Sequence, residues 1–406
     1  MPVGGNVSLN LKAVSGIRIG TASAGISQTE RDDITIFEMA KSTQVAAVFT
    51  NNKFCAAPVL LAKKHLAEGS PRYLLINSGN ANAGLGKPGL RAAQTCCIEL
   101  ADRVSSDVAK VLPFSTGVIG EPLPVDKLVN GLQAAVDTLA EDNWSKAAKA
   151  ILTTDTREKG CSRTVELGQT SITITGIAKG SGMIEPNMAT MLSYIATDMA
   201  ISQPILQQML KEAADLSFNS ISVDGDTSTN DALVLMATAS ANTTAINSAE
   251  DPRYSTFLSA LKEVCYFLAE AIVRDGEGAT KLIKIIVEQA NSVDDAKEVA
   301  YTVAQSPLVK TAFFASDPNW GRILAAVGRA DIEHLDVDTV SIQLDDTCIV
   351  DEGKRSPSYT EEAGQIVMDK DEITVRIGLA QGTQSATVLT CDLSYDYVKI
   401  NAEYRS

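Results

Sequence analysis

The stretch AKGSGMIEPNMATMLSYIATD, residues 178–198, decides how the middle of this 406-residue chain folds. A strand ends at Lys179, and the glycines and the Pro-Asn pair that follow favour a tight loop whose backbone can approach another group closely. Thr190 then opens a second strand, residues 190–198, which is almost continuously apolar. A strand of this kind is typical of a sheet that is covered on both faces.

The hydroxyl of Thr190 is suitably placed in the sequence to attack the peptide carbonyl just before it. Such an attack converts the Ala189–Thr190 amide to an ester, which water cleaves, and Thr190 is left with a free α-amine beside its hydroxyl. An N-terminal amine can activate a threonine hydroxyl as a base, since its reference pKa is about 7.7–8.0. A threonine at the start of a strand is most often an ordinary strand residue, so spacing alone leaves both interpretations open.

Elsewhere the chain mixes short apolar strands with amphipathic helices, which is typical of a layered α/β (α+β) fold with mixed sheets. Strands are predicted at residues 45–50, 73–77, 169–177, 231–238 and 281–289, and helices at 89–109, 205–216, 252–275, 294–306 and 320–330. From about residue 339, short strands alternate with charged turns. We therefore predict one domain over residues 1–286 and a smaller C-terminal domain over residues 287–406.

Charge and composition exclude several classes of partner. The formal net charge of −15 repels phosphate backbones, so nucleic acid is not expected to bind. No stretch approaches the roughly 18 apolar residues of a membrane helix, and no secretory or transit signal is apparent, so we expect a cytoplasmic protein without membrane contact. The seven cysteines form no CxxC pair, which predicts neither a zinc site nor a disulfide framework.

Two further patterns in the sequence do not predict sites. The chain has only two histidines, His65 at the predicted exposed end of a helix and His334 in a polar stretch, and no GxSxG motif, so a histidine base is not expected. Residues 224–235 imitate a calcium loop, but position six is Thr229 instead of Gly and position twelve is Leu235 instead of Glu. We interpret residues 224–231 as a polar loop at an active-site rim.

The segment KGSGMIEPNMATML, residues 179–192, resembles the processing signature of the ornithine acetyltransferase (glutamate N-acetyltransferase, ArgJ) family, in which the bond before the last threonine is cut. The similarity covers essentially the whole chain. It implies a layered αββα sandwich of the N-terminal nucleophile type, with mixed sheets and a smaller C-terminal α/β domain. It also implies cleavage between Ala189 and Thr190, and a heterotetramer of two alpha and two beta chains.

Other segments match the family and carry its functional residues. The stretch PFSTGVIG, residues 113–120, implies that Thr116 and Gly117 hold an oxyanion, although Ser-Thr-Gly is also a common turn. The stretch TTDT, residues 153–156, implies a substrate contact at Thr154, with a helix cap as the alternative. Lys179 is implied to bind a substrate carboxylate, although a loop lysine is normally only solvated.

Two more matches lie in the second half of the chain. The segment RDGEGATK, residues 274–281, places Glu277 between two glycines, and in the family this carboxylate contacts the substrate. In the tail INAEYRS, residues 400–406, Asn401 and the final hydroxyl residue contact substrate in the family; here that residue is Ser406, where threonine is common. The segment DPNWGRILAAVGRA, residues 317–330, is predicted to have a structural role at a domain or subunit contact.

The resemblance implies an enzyme that transfers an acetyl group from N2-acetyl-L-ornithine to L-glutamate by a ping-pong mechanism through acetyl-Thr190. The implied substrates are small molecules, and the implied enzyme requires no metal or organic cofactor. Whether acetyl-CoA also serves as an acetyl donor is left open by the sequence. Two alternatives remain: a self-processing aminopeptidase or amidase with the same nucleophile, and an uncleaved binding or scaffold protein without catalysis.

Overall fold

The computed structural model describes residues 3–5, 9–27, 30–168, 170–185 and 191–403. Within these residues the strands are β1 (Ile17–Ala22), β2 (Ile34–Met39), β3 (Gln44–Phe49), β4 (Tyr73–Asn80), β5 (Val111–Val118), β6 (Lys159–Leu167), β7 (Thr170–Lys179), β8 (Leu192–Thr197), β9 (Ile221–Ser222), β10 (Ala232–Ala237), β11 (Leu282–Ala290), β12 (Ser341–Leu344), β13 (Thr347–Asp351), β14 (Lys354–Arg355), β15 (Glu372–Gly378) and β16 (Gln384–Cys391). The helices are α1 (Ala57–Glu68), α2 (Lys87–Arg103), α3 (Val125–Asp137), α4 (Trp144–Ala150), α5 (Gln203–Asp215), α6 (Tyr254–Arg274), α7 (Val293–Ala304), α8 (Pro307–Phe314), α9 (Trp320–Gly328), α10 (Glu361–Met368) and α11 (Tyr395–Ala402).

In the described part of the chain, the strands form three sheets. Sheet A has the order β1-β2-β4-β5, sheet B the order β3-β10-β8-β7-β6, and sheet C the order β14-β13-β12-β15-β11-β16-β9. Each sheet contains both antiparallel and parallel pairs, for example β2 with β4 and β4 with β5 in sheet A. Sheets B and C are mixed in the same way. The prediction of mixed sheets is confirmed.

Sheets A and B pack face to face around a shared apolar core. Because side chains alternate along a strand, Val234 of β10 faces this core while Leu235 faces the other side of the sheet. Phe37 of sheet A and Tyr194 of sheet B meet in the core with ring centroids 5.4 Å apart. The apolar run predicted over residues 231–238 is therefore buried on both faces.

Helices cover the outer faces of both sheets and complete the αββα layering. Helices α2 and α3 pack on sheet A around Ile36 and Leu132. Helices α5 and α6 pack on sheet B around Ile174 and Leu268. Helix α6 also contacts β16, so it joins sheet B to sheet C.

Sheet C and helices α7 to α9 enclose an apolar cluster of their own, which includes Ile285, Val299 and Val375. Helix α7 begins after Ser292, whose Oγ accepts the N–H of Asp295 at 3.0 Å, a cap that suits the acidic first turn. The boundary predicted between residues 286 and 287 falls inside β11. The division into two domains remains a prediction, and the predicted boundary falls within a strand of sheet C.

The segment of residues 317–330 packs within this C-terminal part of the molecule. Its Asn319 caps α9 by accepting the N–H of Arg322 at 3.1 Å. The guanidinium of Arg322 donates to the carbonyl oxygen of Leu308 at 2.9 Å, and that of Arg329 to the carbonyl oxygen of Thr302 at 2.9 Å. These contacts tie α9 to α8 and α7, which is a structural role.

Two details of the sequence interpretation were wrong. His65 is buried instead of exposed, and its Nδ1 lies 2.7 Å from the carbonyl oxygen of Val111 in β5. His65 lies on the face of α1 that packs against β5. Its position on this face buries the side chain even though the imidazole is polar. The helix predicted over residues 89–109 ends at Arg103, and a separate short 3-10 turn covers Val108–Lys110.

Candidate active site

A cleft opens where strand ends from sheets A and B meet. In sheet B, Lys179 at the end of β7 is paired with Leu192 at the start of β8. Leu192 is in turn paired with Ala232 at the start of the parallel strand β10. Sheet A contributes the last residues of β5, among them Thr116. Two sheets therefore bring chain segments far apart in sequence to one place.

The cleft has a volume of about 310 Å³ and is lined by both polar and apolar groups. The sequence-predicted site residues that line it are Thr116, Gly117, Thr154, Lys179, Glu277 and Asn401. Thr190, Ala189 and Ser406 lie outside the described residues. Ile184 and Met191, which flank residues 186–190 on either side, both line the cleft. In the sequence, the predicted cleavage site thus lies between two residues that line the cleft.

Lys179 is buried, with 9% of its surface exposed, so it is not a solvated loop lysine. Its Nζ donates to the hydroxyl of Thr153 at 2.6 Å and to the hydroxyl of Thr116 at 3.2 Å. The carboxylate of Asp155 lies 3.8 Å from the same Nζ. Burial lowers the pKa of Lys179, and the charge of Asp155 opposes that effect.

Asp155 is the anion behind Lys179, and its side chain is fully buried. Burial by itself raises the pKa of a carboxyl, but Lys159 and Lys179 oppose it so strongly that the pKa of Asp155 lies well below its usual range. The N–H of Gly180 donates to this carboxylate at 2.7 Å, and the N–H of Thr153 at 3.1 Å. The helix cap considered for residues 153–156 is not formed, because no helix begins between the end of α4 at Ala150 and the start of β6 at Lys159.

Gly117 follows Thr116 in a backbone conformation that excludes a side chain. Its φ is +135°, and a Cβ there would lie 2.3 Å from the carbonyl carbon of Gly79 in the neighbouring strand. Asn230, in the loop before β10, braces the same region, because its Nδ2 donates to the carbonyl oxygens of Ala81 and Ser115 at 2.6 and 2.9 Å. The strand end that carries Thr116 is therefore held rigidly against sheet B.

Glu277 faces the cleft from the turn after α6 and is 8% exposed. Its Oε2 accepts a hydrogen bond from Nδ2 of Asn401 at 2.8 Å. Its N–H donates to the carbonyl oxygen of Ser181 at 2.9 Å, and a Cβ on Gly182 would lie 2.4 Å from its carboxyl carbon. The close approach predicted for the glycine loop after β7 is thus made to Glu277.

Asp224 fixes the next part of that loop. Its carboxylate accepts the N–H groups of Met183 at 2.6 Å and Ile184 at 2.8 Å, and the hydroxyl of Tyr397 lies 3.3 Å away. In the described residues, no group of three or more His, Cys, Asp or Glu side chains is arranged to hold a metal ion. The carboxylate that imitates the first calcium ligand is instead used to hold backbone.

The family can be assigned from comparison with known proteins. A family model described as the ArgJ family matches residues 18–406. This chain belongs to the ArgJ family. A relative in Pseudomonas fluorescens (strain Pf0-1), named arginine biosynthesis bifunctional protein ArgJ, is 52% identical over 406 residues, which covers 100% of both chains. A protein of the same name in Methylococcus capsulatus is 54% identical over 98% of this chain and 97% of its own.

A crystal structure of a family member shares the fold of this chain. It is the arginine biosynthesis bifunctional protein ArgJ of Bacillus halodurans, with a TM-score of 0.51 and 38% identity. The match covers 53% of this chain and 100% of the Bacillus chain. The matched part of this chain therefore has the same fold as an experimental structure of the ArgJ family.

Several residues at or behind the cleft of this ArgJ family member were not predicted from the sequence. Thr153 lines the cleft and Asp155 lies buried behind it, on either side of the predicted Thr154, and their pattern is equally typical of a helix cap. Asn230 and Asp231 lie in the loop assigned to the active-site rim, and both line the cleft. No local signal separates these residues from ordinary polar loop residues, because contacts with residues far away in sequence place them at the site, such as that of Thr153 with Lys179.

In the part of the chain that the structure describes, no helix is both long and apolar enough to span a membrane. The longest helix, α6, has many apolar residues, but they pack against sheet B.

Proposed function

We propose that this chain is an acetyltransferase of arginine biosynthesis that moves the acetyl group of N2-acetyl-L-ornithine to L-glutamate through acetyl-Thr190. Relatives at 52–54% identity carry arginine biosynthesis in their names. The observation that carries the proposal is the convergence of six matched residues on one cleft, whose wall also includes Ile184 and Met191 from either side of residues 186–190. Among them are a cation and a carboxylate, which suit a substrate that bears both charges.

The reaction proceeds in two acyl transfers. The hydroxyl of Thr190 attacks the acetyl carbonyl of acetylornithine, and its proton passes to the α-amine of the same residue. That amine then protonates the departing amine of ornithine, and acetyl-Thr190 remains. The α-amine of glutamate attacks this ester, which yields N-acetylglutamate and restores the threonine hydroxyl. Neither step calls for a metal or an organic cofactor.

Thr116 and Gly117 stabilise the oxyanion of each tetrahedral intermediate. Because Lys179 donates a hydrogen bond to the oxygen of Thr116, the proton of that hydroxyl points elsewhere and is available to a second acceptor. Donors that are fixed before the reaction stabilise developing charge most effectively, and loss of one typically lowers the rate about 10²–10³-fold. The bracing of this strand end by Asn230 supports such a role.

The charged residues of the cleft position the amino-acid substrates. Lys179 binds the α-carboxylate, and Glu277 binds the δ-ammonium of the ornithine moiety. Thr154, Asn401 and Ser406 supply further polar contacts. Asn401 supports Glu277 directly, through the 2.8 Å hydrogen bond to its carboxylate.

Cleavage before Thr190 is part of the proposal. It would divide the 406 residues into chains of 189 and 217 residues, and the second is 53% of the whole. The Bacillus crystal chain likewise matches over its full length while covering 53% of this chain. A crystal chain of that length supports a cut near the middle. We further propose that the two products assemble as two alpha and two beta chains.

The range of acetyl donors and acceptors decides between related activities. The relatives are named bifunctional, and we propose acetyl-CoA as the second donor, from which glutamate would also be acetylated. A self-processing aminopeptidase or amidase would instead pass the acyl group to water. A non-catalytic binding protein would carry out neither reaction.

Steady-state assays with purified protein distinguish these outcomes. We expect ornithine release from acetylornithine to depend on glutamate and to be matched by acetylglutamate formation. Release at the same rate without glutamate would identify a hydrolase. Full transferase activity in Thr190→Ala would refute the proposed nucleophile, and Thr190→Ser, which keeps the hydroxyl, is the matched control.

A further inference from the structure

Behind the cleft lies a row of alternating buried charges, Lys179, Asp155, Lys159 and Asp275, which the proposed mechanism does not use beyond Lys179. The Nζ of Lys159 is 2.6 Å from Oδ1 of Asp155 and 2.6 Å from Oδ2 of Asp275. These three side chains are at most 1% exposed. Buried charges are costly unless they are paired, so a row of this kind in contact with a cleft calls for an explanation.

Asp155 holds Lys179 from two directions. Its carboxylate attracts the Lys179 ammonium directly across 3.8 Å. It also accepts the N–H of Thr153, whose hydroxyl in turn accepts a 2.6 Å hydrogen bond from Lys179. The third contact, with the N–H of Gly180, fixes the backbone that immediately follows Lys179. The carboxylate of Asp155 thus both favours the charged form of Lys179 and helps to fix the orientation of its side chain.

The electrostatic surroundings of Lys179 show what Asp155 contributes. Burial lowers the pKa of Lys179 and so disfavours its charged form, and the nearby cation of Lys159 does so too. Asp155, Asp231 and Glu277 favour the charged form, and Asp155 has the largest effect of the three. Without Asp155, the pKa of Lys179 would fall further, since its cost of burial would remain and its main counter-charge would be gone.

We propose that Asp155 is a positioning residue that keeps Lys179 protonated and directed at the carboxylate of the substrate, and thereby sets the alkaline limit of activity. The fully buried carboxylate does not itself touch substrate. Lys159 holds Asp155 in place and connects it to Asp275, two residues before Glu277. This inference rests on the proposed role of Lys179 in substrate binding.

The test compares pH profiles of kcat/KM for acetylornithine in the wild type and in Asp155→Asn. A carboxylate within about 4–6 Å of a cation shifts its pKa by about 1–3 units. We therefore expect the alkaline limb of Asp155→Asn to move down by about one pH unit or more. The KM is expected to rise about tenfold, with a smaller change in kcat, because carboxylate binding is what is lost.

A matched control separates positioning from general destabilisation. Asp33 is also buried and accepts the N–H groups of Ala24, Ile26 and Ser27 at 2.7, 2.6 and 2.9 Å, but it does not act on Lys179. Asp33→Asn should therefore leave the alkaline limb where it is in the wild type. An equal shift in both variants, or none in Asp155→Asn, would overturn the inference.

Should Asp155→Asn not fold, Thr153→Val tests the same positioning without removing a charge. It deletes the hydroxyl that accepts a hydrogen bond from Lys179. The KM should therefore rise, and the alkaline limb should move by less than the roughly one pH unit expected for loss of the Asp155 charge. An unchanged KM in Thr153→Val would overturn the inference. If the wild type itself releases no ornithine from acetylornithine, the proposed function fails instead, so the two failures are distinguishable.

Discussion

The cleft depends, at the residue scale, on positions where a side chain has no room. Gly117 combines a φ of +135° with a neighbouring strand that a Cβ would meet at 2.3 Å. Gly182 has an ordinary φ, but Glu277 occupies the space beside it. Both glycines lie in segments that the sequence predicts to be functional. The structure explains why each must be glycine: at Gly117 because of the pairing of β4 with β5, and at Gly182 because Glu277, in the turn after α6, packs against it.

Gly117→Ala should abolish activity and destabilise the protein. Left-handed backbone at an alanine costs about 1–2 kcal/mol, and displacement of the β4 backbone adds to that cost. Gly120→Ala is the matched control, because Gly120 has a φ of +86° but no atom within 4 Å of the position that a Cβ would occupy. Chemical denaturation and acetyl-transfer assays of both variants measure the difference. Equal activity in the two would contradict the proposed rigidity at Gly117.

Glu277→Gln should weaken the reaction of acetylornithine about 10–100-fold in kcat/KM, because an ammonium loses its ionic partner while the side-chain shape is kept. N2-acetylnorvaline, which lacks the δ-ammonium, is the control substrate and should be affected much less. The ratio of kcat/KM for the two substrates reports the contact. An unchanged ratio would show that Glu277 does not bind the δ-ammonium.

The sequence predicted site residues best where a whole segment was distinctive. Thr116, Lys179 and Glu277 were each found through a matched segment, and the structure brings all three to one cleft. Asp155 was not found, because a buried ion pair leaves no pattern in a single sequence. His65 was placed wrongly for a related reason, since one polar residue on an otherwise apolar helix face has an ambiguous position.

The elements that form the cleft are stabilised by the apolar core between sheets A and B. Tyr194 in β8 lies in that core against Phe37 and Phe114. Its hydroxyl has no hydrogen-bond partner among the described residues, and burial raises its pKa well above the ordinary value. Strand β8, which follows the predicted nucleophile in the sequence, therefore carries a buried hydroxyl that lacks a hydrogen-bond partner among the described residues.

Tyr194→Phe should raise the free energy of unfolding by about 1 kcal/mol, because it removes a desolvated hydroxyl and keeps the ring. Tyr194→Leu is the control and should destabilise the protein, since it leaves a cavity between the sheets. Thermal or urea unfolding of both variants is the measurement. Destabilisation by Tyr194→Phe would indicate that the hydroxyl is hydrogen-bonded in solution.

Behind the cleft, Asp155 connects Lys159 at the start of β6 to Lys179 at the end of β7, and acid should weaken these contacts. Because the pKa of Asp155 is lowered on folding, its stabilisation is fully present above the unfolded pKa of about 3.9 and is lost as pH falls toward the folded value. The difference in the free energy of unfolding between the wild type and Asp155→Asn should therefore become smaller below about pH 4. Urea unfolding across this range measures the difference, and a constant difference would contradict the assignment of charge to Asp155.

Element positions followed from hydrophobic pattern to within a few residues for the long, regular segments. Strand β10 and helix α6 both lie inside their predicted ranges, because apolar periodicity continues along their length. The order of strands in the sheets was not predictable in the same way. It depends on contacts between residues far apart in sequence, such as those of β3 with β10.

The whole molecule is built so that a cut before Thr190 would not separate its halves. In sheet B, β3, β6 and β7 precede the cut, whereas β8 and β10 follow it. The two sides are joined by the β7–β8 ladder, from Lys179–Leu192 to Ile174–Thr197, and by the pairing of β3 with β10. Burial of strands from both products in one core makes dissociation equivalent to unfolding.

The two products should therefore migrate as one species in size-exclusion chromatography under native conditions and separate only in denaturant. Thr190→Ala, expected to remain a single chain, is the control for elution volume. Elution of two separate fragments from the native wild type would contradict the shared sheet.

Denaturing mass spectrometry of the purified protein, before and after brief exposure to acetylornithine, tests the central claim most directly. We predict two chains of 189 and 217 residues that meet at Ala189 and Thr190, and an acetyl adduct on the chain that begins with Thr190. Thr190→Ala should give one intact chain without an adduct. A single uncut wild-type chain that gains no acetyl group would contradict both the self-cleavage and the acetyl-threonine intermediate.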